Sequence, residues 1–140
     1  MKIKLLITGG TIDKVYNELT GELEFSDSHL EKMLKRSRST LDISSEILFL
    51  KDSLDMTDED RELILSKCLT STEDKIVITH GTDTMVETAK LLGDQAKGKT
   101  IVLFGSMIPY SVNNSDALFN LGVALSAVQN KKQGVYIAMN

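Results

Sequence analysis

Apolar runs of strand length alternate along the chain with longer stretches in which apolar residues recur every three or four positions. The runs fall near residues 2–7, 46–50, 75–79, 100–104 and 134–138, and each reads as a strand. Between them, Leu30, Met33 and Leu34 predict a short helix, and Leu63 and Ile64 a second. Met85, Val86, Ala89 and Leu92 predict a third, and Leu118, Leu121, Leu125 and Val128 a fourth, each stripe facing the sheet. Strands alternating with helices predict an α/β fold in which helices cover both faces of a parallel sheet.

Helix starts are signalled by residues that cap free amide groups. Ser28 with Glu31, Thr57 with Asp60, and Thr84 with Glu87 have capping-box spacing. The segment Asp13–Phe25 differs: Val15, Tyr16, Leu19, Leu23 and Phe25 surround Leu19-Thr20-Gly21-Glu22, which predicts a hairpin that folds over whatever lies beyond the first strand. Together these elements predict a flavodoxin-like (Rossmann-like) three-layer sandwich with strand order 2-1-3-4-5 and a hairpin after strand one. Its switch point then lies between strands one and three. There is no internal repeat, low-complexity tract or linker, and Pro109 marks no boundary.

Each of the first four predicted strands gives way to a small, polar segment: Thr8-Gly9-Gly10-Thr11, Asp52-Ser53, Thr79-His80-Gly81-Thr82-Asp83-Thr84 and Gly105-Ser106. In an open parallel sheet all four gather at one edge, beyond the carboxyl ends of the strands, where ligands bind. Helix amino ends gather there too, and their free N–H groups favour a carboxylate or an oxyanion. A small anionic or zwitterionic ligand follows. Hydrolysis of a carboxamide at such a place needs a nucleophile, a proton acceptor and donors for the oxyanion. Thr11 and Thr82 offer hydroxyls, and Tyr16, Asp83 and His80 are candidate acceptors, His80 being better suited to orienting. Gly9, Gly10 and Gly81 let the backbone approach a ligand. Taken singly, Thr82, Asp83 or Thr84 reads as a cap for the next helix and Tyr16 as packing within its hairpin; it is the joint pattern that points to a site.

Bulk properties narrow the partners. A length of 140 residues suits one domain with a real core. A net charge of -4 gives no electrostatic reason to expect nucleic acid, and the cluster Lys32, Lys35, Arg36 and Arg38 reads as favourable charge at a helix carboxyl end. The lone Cys68 sits among Leu63, Ile64 and Leu69 as a small buried hydrophobe. Met1–Ile7 is too short for the apolar core of a signal peptide and reads as the first strand. No stretch approaches membrane-spanning length, so the expectation is a cytoplasmic protein without membrane partners.

Thr8-Gly9-Gly10-Thr11-Ile12 together with His80-Gly81-Thr82-Asp83-Thr84 resembles the paired signature of bacterial-type L-asparaginases, amidohydrolases that release ammonia from asparagine and often glutamine. The resemblance implies that Thr11 is the nucleophile, that Tyr16 is the tyrosine of the covering loop, and that Thr82 belongs to the catalytic group. It implies that Asp83 holds the substrate amino group, with Gly10 and Gly81 lining the substrate. Asp52-Ser53-Leu54-Asp55-Met56 is similar to the family's serine-containing loop, which makes Ser53 the residue that binds the substrate carboxylate. Gly105-Ser106-Met107-Ile108-Pro109 with Ser115-Asp116 and Phe119-Asn120-Leu121 is similar to the segment after the fourth strand. Amide hydrolysis through an acyl-threonine, with no metal or organic cofactor, in a homodimer or higher homo-oligomer, is what the resemblance implies.

Three departures accompany it. Ile108 stands where the family usually has arginine. No lysine of this chain maps to the lysine that partners the family's second threonine–aspartate pair. The family's carboxyl-terminal domain, which lends an acidic residue to a neighbouring subunit's site, has no counterpart in residues 1–140. The expectation is an amino-terminal asparaginase-like domain whose hydrolysis is slow. The alternative is a non-catalytic sensor or regulatory domain that binds an acidic amino acid. A nucleotide-binding or phosphoacceptor domain is a weaker rival, because no phosphate-loop lysine follows the first strand.

Overall fold

The computed structural model describes residues 1–140. The elements in chain order are β1 (Lys2–Gly9), β2 (Lys14–Asn17), β3 (Glu22–Phe25), α1 (Leu30–Arg36), β4 (Asp42–Lys51), α2 (Asp58–Thr70), β5 (Lys75–Thr79), α3 (Met85–Gln95), β6 (Thr100–Phe104), α4 (Ala117–Asn130) and β7 (Gly134–Ala138). Single tight helical turns occupy Thr11–Asp13 and Ser53–Asp55. The large sheet runs β4-β1-β5-β6-β7 with every pair parallel, and β2 and β3 form a separate antiparallel hairpin. Counted along the large sheet alone, this is the order 2-1-3-4-5.

Strand alternation sorts the core into two layers. Ile3, Leu5, Ile7, Val77, Val102 and Phe104 pack against Leu30 and Met33 of α1 and Leu121, Ala124, Leu125 and Val128 of α4. On the other face Leu6, Ile76, Ile78, Ile101 and Leu103 meet Ile64, Leu65 and Cys68 of α2 and Met85 and Leu92 of α3. Cys68 is fully buried, and burial pushes its thiol up to about 12, so it packs as a hydrophobe. Two residues of the predicted stripes, Leu63 and Val86, turn out exposed. The inward face of α2 takes Arg61, Ile64, Leu65 and Cys68 instead. No helix is long and apolar enough to cross a membrane.

β4 starts at Asp42, four residues before the apolar run near 46–50. It is an edge strand that pairs only with β1, so polar residues such as Asp42 and Ser45 can extend it. Of the three predicted capping boxes only one forms. Thr57 Oγ1 accepts from Asp60 N–H at 3.2 Å, and Asp60 Oδ2 accepts from Thr57 N–H at 2.9 Å. The other two hydroxyls are drawn into tertiary contacts: Ser28 Oγ donates to Asp13 and Thr84 Oγ1 to the backbone of Ser53. Thr57→Ala is accordingly expected to lower unfolding free energy by about 1 kcal/mol, read as a shift in denaturant midpoint at constant slope. The equivalent change at Thr84 should instead act on the crevice.

Candidate active site

The switch point falls at β1 and β5, whose carboxyl ends are stapled where the strand ladder stops. Thr8 N–H donates to Thr79 Oγ1 at 3.1 Å, and Thr8 Oγ1 donates to Thr79 O at 2.5 Å. Beyond that staple the loops press together backbone to backbone. Gly10 has φ of 83°, and a Cβ on it would lie 2.6 Å from Gly81 N; a Cβ on Gly81 would lie 2.7 Å from Ser53 Oγ. A Cβ on Gly105 would strike the carbonyl oxygen of His80. These contacts admit no side chain, so glycine at these positions is what lets four loops share one crevice. Gly10 N–H also donates to Lys51 O at 2.9 Å, which fastens the first loop to the end of β4.

Thr11 opens the tight turn after Gly10, and Thr82 and Asp83 follow Gly81, so the loops that carry them are in direct contact. Thr11 and Thr82 are half-buried and Asp83 is exposed. None of these three side chains is hydrogen-bonded within the protein, whereas the surrounding hydroxyls of Thr8, Thr79, Thr84 and Thr88 all are. Ser53 lies at the floor, 2% exposed, with its Oγ accepting from Thr84 N–H at 3.2 Å. That bond leaves the serine hydrogen without an acceptor in the protein. Tyr16 stands on β2, 61% exposed, with its hydroxyl unbonded; its cross-strand neighbour is Leu23.

His80 is fully buried with both ring nitrogens engaged, Nδ1 with Gly81 O at 2.7 Å and Nε2 with Thr88 Oγ1 at 2.7 Å. A carbonyl can only accept, so Nδ1 carries the hydrogen and Nε2 accepts from the Thr88 hydroxyl. Burial lowers the pKa of this imidazole, against the opposing hydrogen bond to Gly81, and keeps it neutral. His80 therefore orients the Gly81 carbonyl and has no free nitrogen for a substrate proton.

Four further groups belong to the crevice; the sequence pattern points to Asp116 only through the resemblance and does not single out Asp13, Lys14 or Arg61 at all. Asp13, fully buried, accepts at Oδ1 from His29 N–H at 2.8 Å and Ser28 Oγ at 3.1 Å, while Oδ2 has no partner. Those bonds join the two ends of the hairpin excursion, and burial raises the carboxyl from 3.8 to about 6 despite them. Lys14 pairs with Asp52 at 2.8 Å, which ties the hairpin base to the Ser53 loop. Asp116 accepts from the N–H groups of Met107 and Ile108 at 3.0–3.1 Å. Burial alone would raise Asp116, but these backbone donors outweigh it and hold the carboxyl below its ordinary value. Arg61 of α2 reaches Thr84. Asp13, Lys14 and Arg61 join segments distant in sequence, Asp116 closes a loop eight to nine residues long, and no helix or turn spacing announces any of these pairs.

A parallel α/β sheet with its polar loops converging at a topological switch point defines the class. Within it, this chain belongs to the asparaginase family: the model described as "Asparaginase, N-terminal" matches residues 2–140. The chain is 34% identical over 143 residues to an L-asparaginase of Thermococcus kodakarensis, covering 99% of this chain and 44% of that protein. It is 35% identical over 149 residues to a probable periplasmic L-asparaginase of Haemophilus influenzae, covering 99% of this chain and 42% of that protein. The crystal structure of a probable cytoplasmic L-asparaginase from Campylobacter jejuni matches with a TM-score of 0.85 at 34% identity, covering 99% of this chain and 46% of that one. The chain spans less than half the length of these relatives.

Proposed function

We propose that residues 1–140 act as one amino-terminal asparaginase-type domain that hydrolyses the side-chain amide of L-asparagine or a related carboxamide to the acid and ammonia. The observation that carries this reading is the pair of unbonded threonine hydroxyls, Thr11 and Thr82, on loops held in backbone contact through Gly10 and Gly81. Free, half-buried hydroxyls among fully bonded neighbours are groups reserved for a ligand. Thr11 Oγ1 attacks the amide carbon, and its proton passes to Tyr16 of the hairpin or to Asp83 beside Thr82. That proton is handed on to the amide nitrogen, which leaves as ammonia with an ester on Thr11; water then attacks the ester, its hydroxyl going to the acid and its proton back to Thr11 Oγ1. Ser53 donates its free hydrogen to the α-carboxylate, Asp83 receives the α-amino group, and the free hydroxyl of Thr82 lies on the loop against Thr11 as a donor to the reacting carbonyl. The reading includes cytoplasmic residence and assembly into a homo-oligomer, and it requires no metal or organic cofactor.

Ammonia release measured over asparagine, glutamine and other aspartyl amides, beside calorimetric binding of L-aspartate, tests this. Release of ammonia with stoichiometric acid is the expected result. Aspartate binding with no release from any amide would make the chain a non-catalytic binder and overturn the reading. The hairpin of β2 and β3 rests on few buried side chains, which suits a cover that orders on binding. Amide hydrogen exchange of residues 14–25 is therefore expected to slow with aspartate more than exchange of β1 or β5 does; equal protection in both states would argue for a static hairpin.

A further inference from the structure

Arg61 lies in the first turns of α2 between Asp60 and Glu62, a setting that reads as solvated surface charge, yet it turns inward and is 9% exposed. A buried guanidinium is costly unless its donors are met, and here they are met unevenly. One terminal nitrogen donates to Met56 O at 3.2 Å and the other to Thr84 Oγ1 at 2.9 Å. Its acidic neighbours Asp58, at 3.9 Å, and Glu87, at 3.4 Å, are exposed, and its Nε–H is buried with no partner. Arg61 is thus a charge held in the interior by two groups of the crevice wall.

Those two groups bracket Ser53. Thr84 Oγ1 accepts from Arg61, so its own hydrogen is directed to Ser53 O, 2.9 Å away. The N–H of the same Thr84 donates to Ser53 Oγ at 3.2 Å. Met56, whose carbonyl receives the other arm of Arg61, closes the turn that begins at Ser53. Thr84 thus holds Ser53 at both its carbonyl oxygen and its Oγ, Met56 N–H adds a longer bond of 3.3 Å to the same carbonyl, and Thr84 is oriented by the guanidinium. Arg61, Thr84 Oγ1 and Ser53 O form a continuous donor chain that polarises in one sense, and the separate bond from Thr84 N–H to Ser53 Oγ depends on where that chain holds Thr84. The serine hydroxyl, already accepting, has its hydrogen free to meet an anion.

We propose that Arg61 is a positioning residue for the ligand's carboxylate, acting on Ser53 through Thr84 and fixing the preference of this crevice for amino acids with a free carboxylate. The inference rests on the reading of Ser53 as carboxylate donor given above. Arg61 touches no substrate; it sets the position and polarity of the group that does.

Steady-state kinetics on asparagine and calorimetry with L-aspartate test it in Arg61→Met, Thr84→Val, Thr84→Ser and the Arg61→Met/Thr84→Val double variant, each first shown folded by its thermal melt. Arg61→Met and Thr84→Val are expected to raise KM and the aspartate Kd about tenfold, the size of one charge-assisted hydrogen bond, with kcat within about threefold. Thr84→Ser, which restores the hydroxyl, is expected to restore KM to within about twofold of the parent. The double variant should be no weaker than the worse single one, because both changes cut one path. Should Arg61→Met fail to fold, Thr84→Val against Thr84→Ser still decides. Penalties that multiply in the double variant, or a fall in kcat at unchanged KM, overturn the inference while the functional reading stands. A parent chain that neither binds aspartate nor releases ammonia removes both.

Discussion

Thr11→Val is expected to cut ammonia release by ~10³-fold or more while leaving the protein as stable as before, within about 0.5 kcal/mol. Valine has the shape of threonine without the hydroxyl. Because Thr11 Oγ1 makes no hydrogen bond within the protein, the exchange leaves no orphaned partner, and the half-buried site tolerates a methyl in its place. The tight turn Thr11–Asp13 is held by backbone and by Asp13, which the substitution does not touch. Stability and activity should therefore separate. Ser53→Ala ought to fail differently, with a raised KM and a largely preserved kcat, since it removes binding that is equal in ground and transition states. Turnover in Thr11→Val within tenfold of the parent would exclude this hydroxyl as the nucleophile and shift attention to Thr82.

The contrast between Thr11 and Arg61 shows what a sequence discloses and what it hides. β5 and β6 are buried on both faces, as is β1 from Leu5 onward, so the apolar runs 5–7, 76–78 and 101–104 are unbroken and legible. The glycines of the crevice were partly legible too, since Gly10 and Gly81 sit within two residues of strand ends, where either a turn or close backbone approach calls for glycine; their contacts show the close approach. The start of β4 was hidden because an edge strand with one neighbour carries polar residues that break the apolar signal. Ser28 and Thr84 had the spacing of caps, but hydroxyls are cheap to redirect, and Asp13 and Ser53 offered them stronger tertiary partners. Arg61 and Asp13 were hidden for a deeper reason. A charged residue is read as exposed by default, and only the three-dimensional arrangement, joining Arg61 to Thr84 and Asp13 to His29, makes either an interior group. The four crevice loops are thus readable from local pattern, and the second layer that holds them is not.

Asp13→Asn should stabilise the protein at neutral pH and flatten its stability profile between about pH 4 and pH 6. Burial raises the native carboxyl to about 6 from an ordinary 3.8, so over that interval the native state binds a proton that the unfolded chain has released. The contribution of Asp13 to stability is complete below about pH 4 and is lost as pH rises through about 6. At about 1.4 kcal/mol per pKa unit, the loss amounts to about 3 kcal/mol by pH 7.5. Asparagine keeps an oxygen for His29 N–H and Ser28 Oγ and removes the buried charge. Its amide nitrogen takes the unpartnered place of Oδ2, which returns part of the gain, and a net stabilisation of about 1–2 kcal/mol near pH 7.5 is expected. Carboxylates that are held low, Asp60 and Asp116 among them, impose the opposite slope at more acidic pH, and subtracting the parent curve from the variant curve cancels them. The difference between variant and parent, from urea titrations at half-unit steps, should climb by about 3 kcal/mol, from about 1–2 kcal/mol below zero at pH 4, where the parent carboxyl is protonated and only the unpartnered amide counts, to its positive plateau above pH 6.5. A difference that stays level across that range would mean that Asp13 titrates as an ordinary exposed carboxylate. Because Asp13 closes the turn begun by Thr11 and clamps both ends of the hairpin, the same variant should slow hydrogen exchange at Ser28 and His29 above pH 6. Local and global readings of one proton would then agree.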